Sequence, residues 1–174
     1  MPTQHPHVAR LVSVTGTQIE ALADVLIDCV AGGASVSFMH PLSQEKAVAF
    51  WRGVAEGVEQ GERVLLVAED DIGIVGTVQL ILAQPENQPH RADVSKMLVH
   101  RRARRKGLGA ALMRAAEAEA RECGKTLLML DTTSGMDAER LSARLGWQRF
   151  GEVPGHALLP QGGLSNTAFF YRVF

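Results

Sequence analysis

The segment Val99-His100-Arg101-Arg102-Ala103-Arg104-Arg105-Lys106-Gly107-Leu108-Gly109-Ala110 constrains the fold more than any other part of the chain. A β-prone run, Arg91 to Val99, leads into it, and an amphipathic stretch, Leu108 to about Cys123, leads out. The pattern predicts a strand handing over to a helix N-terminus through a loop with two glycines and five basic residues. A helix N-terminus presents unpaired N–H groups and the positive end of a dipole, which together attract phosphate. Glycines let a ligand come close to the backbone. The segment reads as a pyrophosphate cradle and points to a nucleotide-like cofactor.

The rest of the composition keeps that feature local. The chain has 174 residues, enough for one domain with a full core, and its formal net charge is −1. A near-neutral chain argues against a general nucleic-acid binder, whose whole domain is usually basic. Cys29 and Cys123 both fall in apolar helical patterns and are expected to be buried thiols, with a disulfide or a reactive site as the alternatives. Nothing calls for an oxidising compartment. The first residues, Met1 to His7, lack the apolar core of a signal peptide, and no segment approaches a membrane span. The expected setting is the cytoplasm, away from membranes.

Periodicity and punctuation give the element order. Val8 to Val14 alternates as a strand, and Thr17 is a candidate cap for a helix to about Val30, stopped by Gly32-Gly33. Ala34 to Leu42 is irregular. Ser43 caps a second helix to about Gln60, ended by Gly61. Val64 to Ala68, Ile74 to Ala83 and Arg91 to Val99 read as strands, the first two joined by a turn at Glu69 to Gly73. Beyond the long helix come a strand at Thr126 to Leu130, a helix at Met136 to Leu145 and a strand at Trp147 to Val153. A long loop, Pro154 to Leu164, and a closing strand, Ser165 to Val173, complete the chain. The order β-α-α-β-β-β-α-β-α-β-β, without repeat or linker, predicts one α/β domain over residues 1–174 with a mixed sheet.

Three phosphate cradles compete for the glycine loop. The G-x-x-x-x-G-K-[ST] spacing of a P-loop is absent. A dinucleotide fingerprint needs a small residue three positions after Gly109, where Leu112 stands. The third option fits residue for residue: Arg104, Gly107 and Gly109 make the R-x-x-G-x-G loop of the GCN5-related N-acetyltransferase (GNAT) family. Ala138-Glu139-Arg140-Leu141-Ser142-Ala143-Arg144-Leu145-Gly146-Trp147 is similar to the family's second signature, A-x-x-L-Y-x-x-L-G-F. With the element order, the chain resembles this family from end to end. Three further stretches, Gly32 to Met39, Leu130 to Thr132 and Gly151 to Gly155, resemble a member that acetylates a β-lactam amino-acid toxin.

The resemblance implies a GNAT fold: one mixed, mostly antiparallel sheet of about seven strands with a central splay and about four helices. It implies acetyl-CoA as co-substrate, no metal, and pairing of chains as a homodimer. Backbone amides of Arg105, Lys106, Gly107, Leu108, Gly109 and Ala110 would hold the pyrophosphate, with Arg104 completing the motif. Side chains of Arg101, Arg102 or Lys106 would add charge near the 3′-phosphate. Met97, Leu98 and Val99 would lie along the pantetheine arm, which bonds to strand backbone as an added strand does, with an N–H near Leu98 polarising the thioester carbonyl. Simple core packing is the alternative for these three side chains.

Acetyl transfer needs a neutral amine, and a free alkylamine resembles Lys, with a pKa of about 10.4. A nearby carboxylate must take its proton. Asp93 shares a strand with Ser95, Met97 and Val99 and faces the same way unless a bulge intervenes. Family members often place a basic carboxylate on this strand. Asp131 ends the next strand, beside the implied splay. Asp93 is expected as base and Asp131 as the group that orients the amine; a structural hydrogen-bonding role is the alternative for each. Ser142 stands where the family often has a tyrosine acting as general acid, and His156 or Tyr171 could replace it. Ser35, Phe38, Met39 and His156 are candidate substrate contacts, the first three on a segment that would form a wall or lid. Two acids favour a cationic small amine or amino acid. The competing functions are a protein N-terminal or lysine acetyltransferase, which needs an open groove, and a non-catalytic acyl-CoA-binding domain.

Overall fold

A computed structural model describes residues 6–174; most of the polar Met1 to His7 stretch lies outside the described residues. The elements are β1 (His7–Leu11), α1 (Gly16–Ala31), α2 (Gln44–Glu59), β2 (Arg63–Glu69), β3 (Ile74–Leu82), β4 (Arg91–Val99), α3 (Leu108–Glu122), β5 (Leu127–Thr133), α4 (Asp137–Arg144), β6 (Gln148–Leu158) and β7 (Leu164–Val173). A short 3₁₀ turn, Arg101–Ala103, precedes α3. The strands form a seven-stranded sheet in the order β1-β2-β3-β4-β5-β7-β6. Only β4 and β5 run parallel. This is the GNAT fold that the resemblance implies.

Each face of the sheet buries its own helices. Leu108, Leu112, Met113, Ala116 and Ala120 of α3, with Leu141 of α4, pack on Leu66, Leu80, Ala92, Val94, Leu128 and Phe170. Leu22, Leu26 and Val30 of α1, with Trp51 and Val54 of α2, pack on Leu65, Val67, Ile74 and Leu98. The apolar residues recur at three and four positions along each helix, which puts them on one stripe.

Two features of β4 open the centre of the sheet. Its pairing with β5 is limited to Arg91, Ala92 and Asp93 against Leu127, Leu128 and Met129. Against β3, Leu98 faces Thr77 and Ser95 faces Gln79, so Lys96 and Met97 together stand opposite Val78. That is a bulge, and Lys96 at its centre has φ 53°. A bulge bends its strand and re-aims its side chains. Beyond it β4 stays with β3 and leaves β5, which continues with β7 as far as Thr133.

Several boundaries differ from the sequence expectations. The cap of α1 is Thr15, not Thr17: its Oγ1 accepts from Gln18 N–H at 3.2 Å, and Gln18 Oε1 accepts from Thr15 N–H at 2.9 Å. This reciprocal box satisfies two donors at once, which a cap at Thr17 would not. Strand β1 ends at Leu11, and β5 runs on to Thr133. The long loop at Pro154 is mostly strand, with β6 extending to Leu158 and a tight connection to β7. Pro154 and Gly155 are tolerated because β6 is an edge strand, irregularly paired between Val153 and Ala157. Gly155 N–H donates instead to Asn166 Oδ1 at 3.0 Å.

Candidate active site

The cradle forms where β4 meets α3. Arg105 (φ 63°) and Gly107 (φ 73°) both take the left-handed conformation, which turns the chain sharply into the helix. No side chain caps α3, and Gly107 first enters its ladder by accepting from Ala111 N–H at 3.1 Å. The N–H groups of Leu108, Gly109 and Ala110 thus lie before the first helical bond, facing outward. A Cβ at Gly107 would meet nothing within 4 Å, so the mouth is open. One at Gly109 would sit 3.2 Å from Leu141 Cδ2 and 3.7 Å from Met97, so Gly109 is where α3, α4 and the strand end close on one another.

The basic side chains are used differently from one another. Arg101 is clamped to Asp28 of α1, through its N–H to Oδ2 and its Nε to Oδ1, each at 2.9 Å. Arg102 pairs with Asp70 of the β2–β3 turn. Arg104 folds inward, its Nε donating to the Val99 carbonyl at 3.0 Å. Cys29 Sγ meets the same carbonyl at 3.4 Å, and burial pushes its thiol pKa up against the opposing pull of Arg104. Arg104 therefore secures the end of β4. Lys106 is exposed at the cradle.

The opened half of the sheet carries the second part of the site. A cleft of about 140 Å³ is lined by Ser35 and Ser37 of the α1–α2 loop, Asp131, Thr132 and Thr133 of β5, His156 and Ala157 of β6, and Thr167 of β7. His156 stands edge-on to Phe169, centroids 5.5 Å apart, and Phe169 is the β7 partner of Asp131. The α1–α2 loop is tied to the β6–β7 hairpin. Ser35 Oγ reaches the Leu158 carbonyl at 3.5 Å, His40 N–H donates to the Pro160 carbonyl at 2.9 Å, and Gln161 Nε2 donates to the Ala31 carbonyl at 3.2 Å. Phe38 lies behind this wall, edge-on to Phe50 at 5.3 Å, while Met39 is exposed.

A strand-to-helix anion cradle beside a parted sheet is the arrangement by which the chain can be placed among known proteins. The acetyltransferase (GNAT) family model matches residues 23–147. The chain belongs to the GNAT acetyltransferase family. An uncharacterized N-acetyltransferase from the hisH–hisA intergenic region of Azospirillum brasilense is 32% identical over 126 residues, covering 71% of this chain and 73% of that protein. The fold is shared with a ribosomal-protein-alanine N-acetyltransferase from Brucella melitensis, at TM-score 0.81 and 20% identity over 97% of this chain and 99% of that one. It is also shared with a phosphinothricin acetyltransferase from Sinorhizobium meliloti in complex with acetyl-CoA, at TM-score 0.79 and 16% identity over 98% and 89%. The chain is thus an enzyme of the N-acetyltransferase class.

In this GNAT enzyme some expected residues meet and others do not. Asp131, Ser35 and His156 line one cleft, whereas Asp93 is outside that lining. Asp93 is engaged by Arg91, Nη1 to Oδ1 at 2.9 Å, and sits where β4 and β5 are still paired. The expectation that Asp93, Ser95, Met97 and Val99 share a face is corrected by the bulge: Met97 and Val99 pack toward α3, and Leu98 is buried toward α1 and α2. The N–H groups near Leu98 that are turned away from β3 belong to its two neighbours. His100 N–H donates to the Val75 carbonyl at 2.8 Å, so alternation along β4 turns Leu98 N–H toward β3 and leaves the N–H groups of Val99 and Met97 toward the gap. Ser142 is 4% exposed, and its hydroxyl donates to the Ala138 carbonyl at 2.8 Å, within its own helix. Tyr171 lies beside Phe150, not among the cleft residues.

Sequence reasoning missed Lys96, Ser37 and the hairpin wall. Lys96 Nζ donates to Ser37 Oγ at 3.2 Å and lies 5.8 Å from the Phe50 ring centroid. Burial pushes its pKa down, and the Asp131 carboxylate partly offsets this. The available signal was the family motif itself, which fixes where β4 must part from its neighbour and hence where a bulge falls.

Proposed function

We propose that the chain transfers an acetyl group from acetyl-CoA to the amine of a small, amino-acid-like molecule by direct attack, with a carboxylate as base. The observation that carries this reading is the walled cleft: Asp131 lines a small space bordered by the α1–α2 loop and the β6–β7 hairpin, which are hydrogen-bonded to each other. A protein-directed acetyltransferase needs an open groove there. The three stretches Gly32 to Met39, Leu130 to Thr132 and Gly151 to Gly155 resemble the tabtoxin resistance protein, which favours a toxin or antibiotic of amino-acid type. Two of the three, through Ser35, Ser37, Asp131 and Thr132, contribute to the cleft lining.

The residues present fit acetyl-CoA. The outward N–H groups of Leu108 to Ala110, with the Arg105 to Gly107 backbone leading into them, suit a pyrophosphate, aided by the Lys106 ammonium, and the gap beyond Asp93 suits an extended arm against Met97, Leu98 and Val99. When bound, acetyl-CoA would supply the thioester carbonyl. We assign its polarisation, as in an oxyanion hole, to the N–H groups of Val99 and Met97. Asp131 takes the ammonium proton of the acceptor and orients the freed amine; we assign it the base role because it alone of the two acids lines the cleft. Asp93, held by Arg91, acts through water or through the local field. With Ser142 bonded to Ala138, the departing sulfur leaves as thiolate. A thiol pKa of about 8.5 permits this near neutrality; the second proton, shed by the nitrogen as the amide forms, passes to the thiolate or to solvent, with His156 in the cleft lining as a relay.

Two free thiols, Cys29 and Cys123, accord with a cytoplasmic setting, and no helix among the described residues is long and apolar enough to cross a membrane. The family resemblance also implies a homodimer, which light scattering after size exclusion reads directly. The deciding experiment follows free-thiol release from acetyl-CoA against a panel of amino acids, polyamines and β-lactam amines. Saturable turnover of a small amine is expected. Turnover only with protein N-termini or lysines would overturn the reading, as would no thermal shift with acetyl-CoA.

A further inference from the structure

The bulge of β4 does more than part the sheet. It also brings a cation to the wall of the acceptor cleft, where Lys96 bonds to Ser37. Lys96 holds φ 53°, a conformation costly for a side chain with a Cβ, and strain of this kind persists where the surroundings fix it. Its ammonium lies over the Phe50 ring of α2, 5.8 Å from the centroid, and one of its three donors is spent on Ser37 Oγ, a residue of the cleft wall. Among the described residues no carboxylate stands within 4.0 Å of Nζ, so the half-buried ammonium has no counter-ion there. Asp131, across the cleft, likewise makes no ion pair among those residues. Lys96 is outside the cleft lining and meets it through Ser37, so two opposite charges stand at one small space, close enough to act on each other yet not joined in an ion pair.

We infer that Lys96 anchors a carboxylate carried by the acceptor, so the acceptor is a zwitterion whose ammonium meets Asp131 and whose carboxylate meets Lys96 and Ser37. The inference rests on the small-amine reading above and adds the second recognition point. A neutral amine would leave Lys96 partly desolvated and unpaired, which disfavours binding. A diamine or polyamine would set a cation against it. A zwitterion satisfies both charges, and the separation of the two groups selects among amino acids.

The test compares each free α-amino acid with its own carboxamide as acceptor, using the intact protein and acetyl-CoA. The free acid is expected to be preferred by about tenfold or more in kcat/KM, mostly through KM, as a charge-assisted contact predicts. In Lys96→Met the ratio of acid to amide falls toward one, and Lys96→Arg recovers part of it. A merely structural lysine would lower both acceptors together and leave the ratio intact. Calorimetric titration of each variant with acetyl-CoA checks that the fold and cradle persist. N-acetylglycine against N-acetylglycinamide, read by calorimetry with CoA present, gives a second readout independent of turnover. An amide used as well as its acid, or a preference that survives Lys96→Met, overturns this inference while leaving small-amine acetylation standing. No turnover of any small amine overturns both.

Discussion

Asp131 is where the chemistry is most exposed to test. A positioned general base contributes roughly 10²–10⁴-fold, so Asp131→Asn should lower kcat/KM by about 100-fold or more, with acetyl-CoA affinity kept. Asp93→Asn should cost far less, because its carboxylate is turned to Arg91. The two variants, assayed side by side by thiol release, separate the roles; a larger loss at Asp93 would return the base to β4. Ser142→Ala removes only a hydroxyl bonded to its own helix. Its kcat should stay within about twofold, since alanine is the better helix former and no acid is lost; a hundredfold drop would make Ser142 the thiol's proton donor. Asp131 was legible because it ends an apolar run beside a family gap. Lys96 was not: a lysine with positive φ has no local signature, since the strain is imposed by strand pairing on one side and its absence on the other.

The cradle is a property of two elements meeting, and its glycines test that meeting differently. At Gly107 the requirement is backbone conformation, and Gly107→Ala should cost about 1–2 kcal/mol of stability, the usual penalty of the left-handed region. Gly109 instead has ordinary helical geometry, and its constraint is space: Leu141 Cδ2 would lie 3.2 Å from a new Cβ. Gly109→Val should push α3 away from α4 and β4 and weaken acetyl-CoA binding at least ~10-fold, about 1.4 kcal/mol, measured by calorimetry. Unchanged affinity would mean that the amide row is not the phosphate site. At this scale the sequence was most readable, because strand, glycine loop and helix are each marked by local chemistry. It was least readable at β6, where Pro154 and Gly155 mimic a loop. What keeps them in a strand is the pairing of distant β7, together with Asn166, which takes up the Gly155 N–H.

Across the whole molecule, the outer helix layer and the cofactor cradle are joined by one carboxylate. Asp28 lies on α1, 73 residues from Arg101, yet accepts both its backbone N–H and its Nε, with His100 Nδ1 at 3.7 Å. His100 Nε2 in turn faces Asp24 at 3.5 Å, and Arg104 touches Cys29 one residue on from Asp28. Burial would raise the Asp28 pKa, but the Arg101 hydrogen bonds and the His100 and Arg101 charges outweigh it and hold the carboxyl below its usual 3.8. A carboxyl depressed in the folded state binds fewer protons there than in the unfolded chain. Its stabilisation is therefore complete above pH 3.8 and is lost as pH falls through the folded value. Asp28→Asn keeps the shape and removes the charge, at a cost on the order of 2 kcal/mol near neutrality, typical of hydrogen bonds to a charged group. Urea unfolding of both proteins between neutral pH and pH 2.5 should show that gap closing on the acid side. A gap that stays constant would mean that Asp28 tethers the cradle by shape alone. If the tether is ionic, Asp28→Asn should also loosen acetyl-CoA binding at neutral pH, although Asp28 contacts none of the amides that face the phosphate.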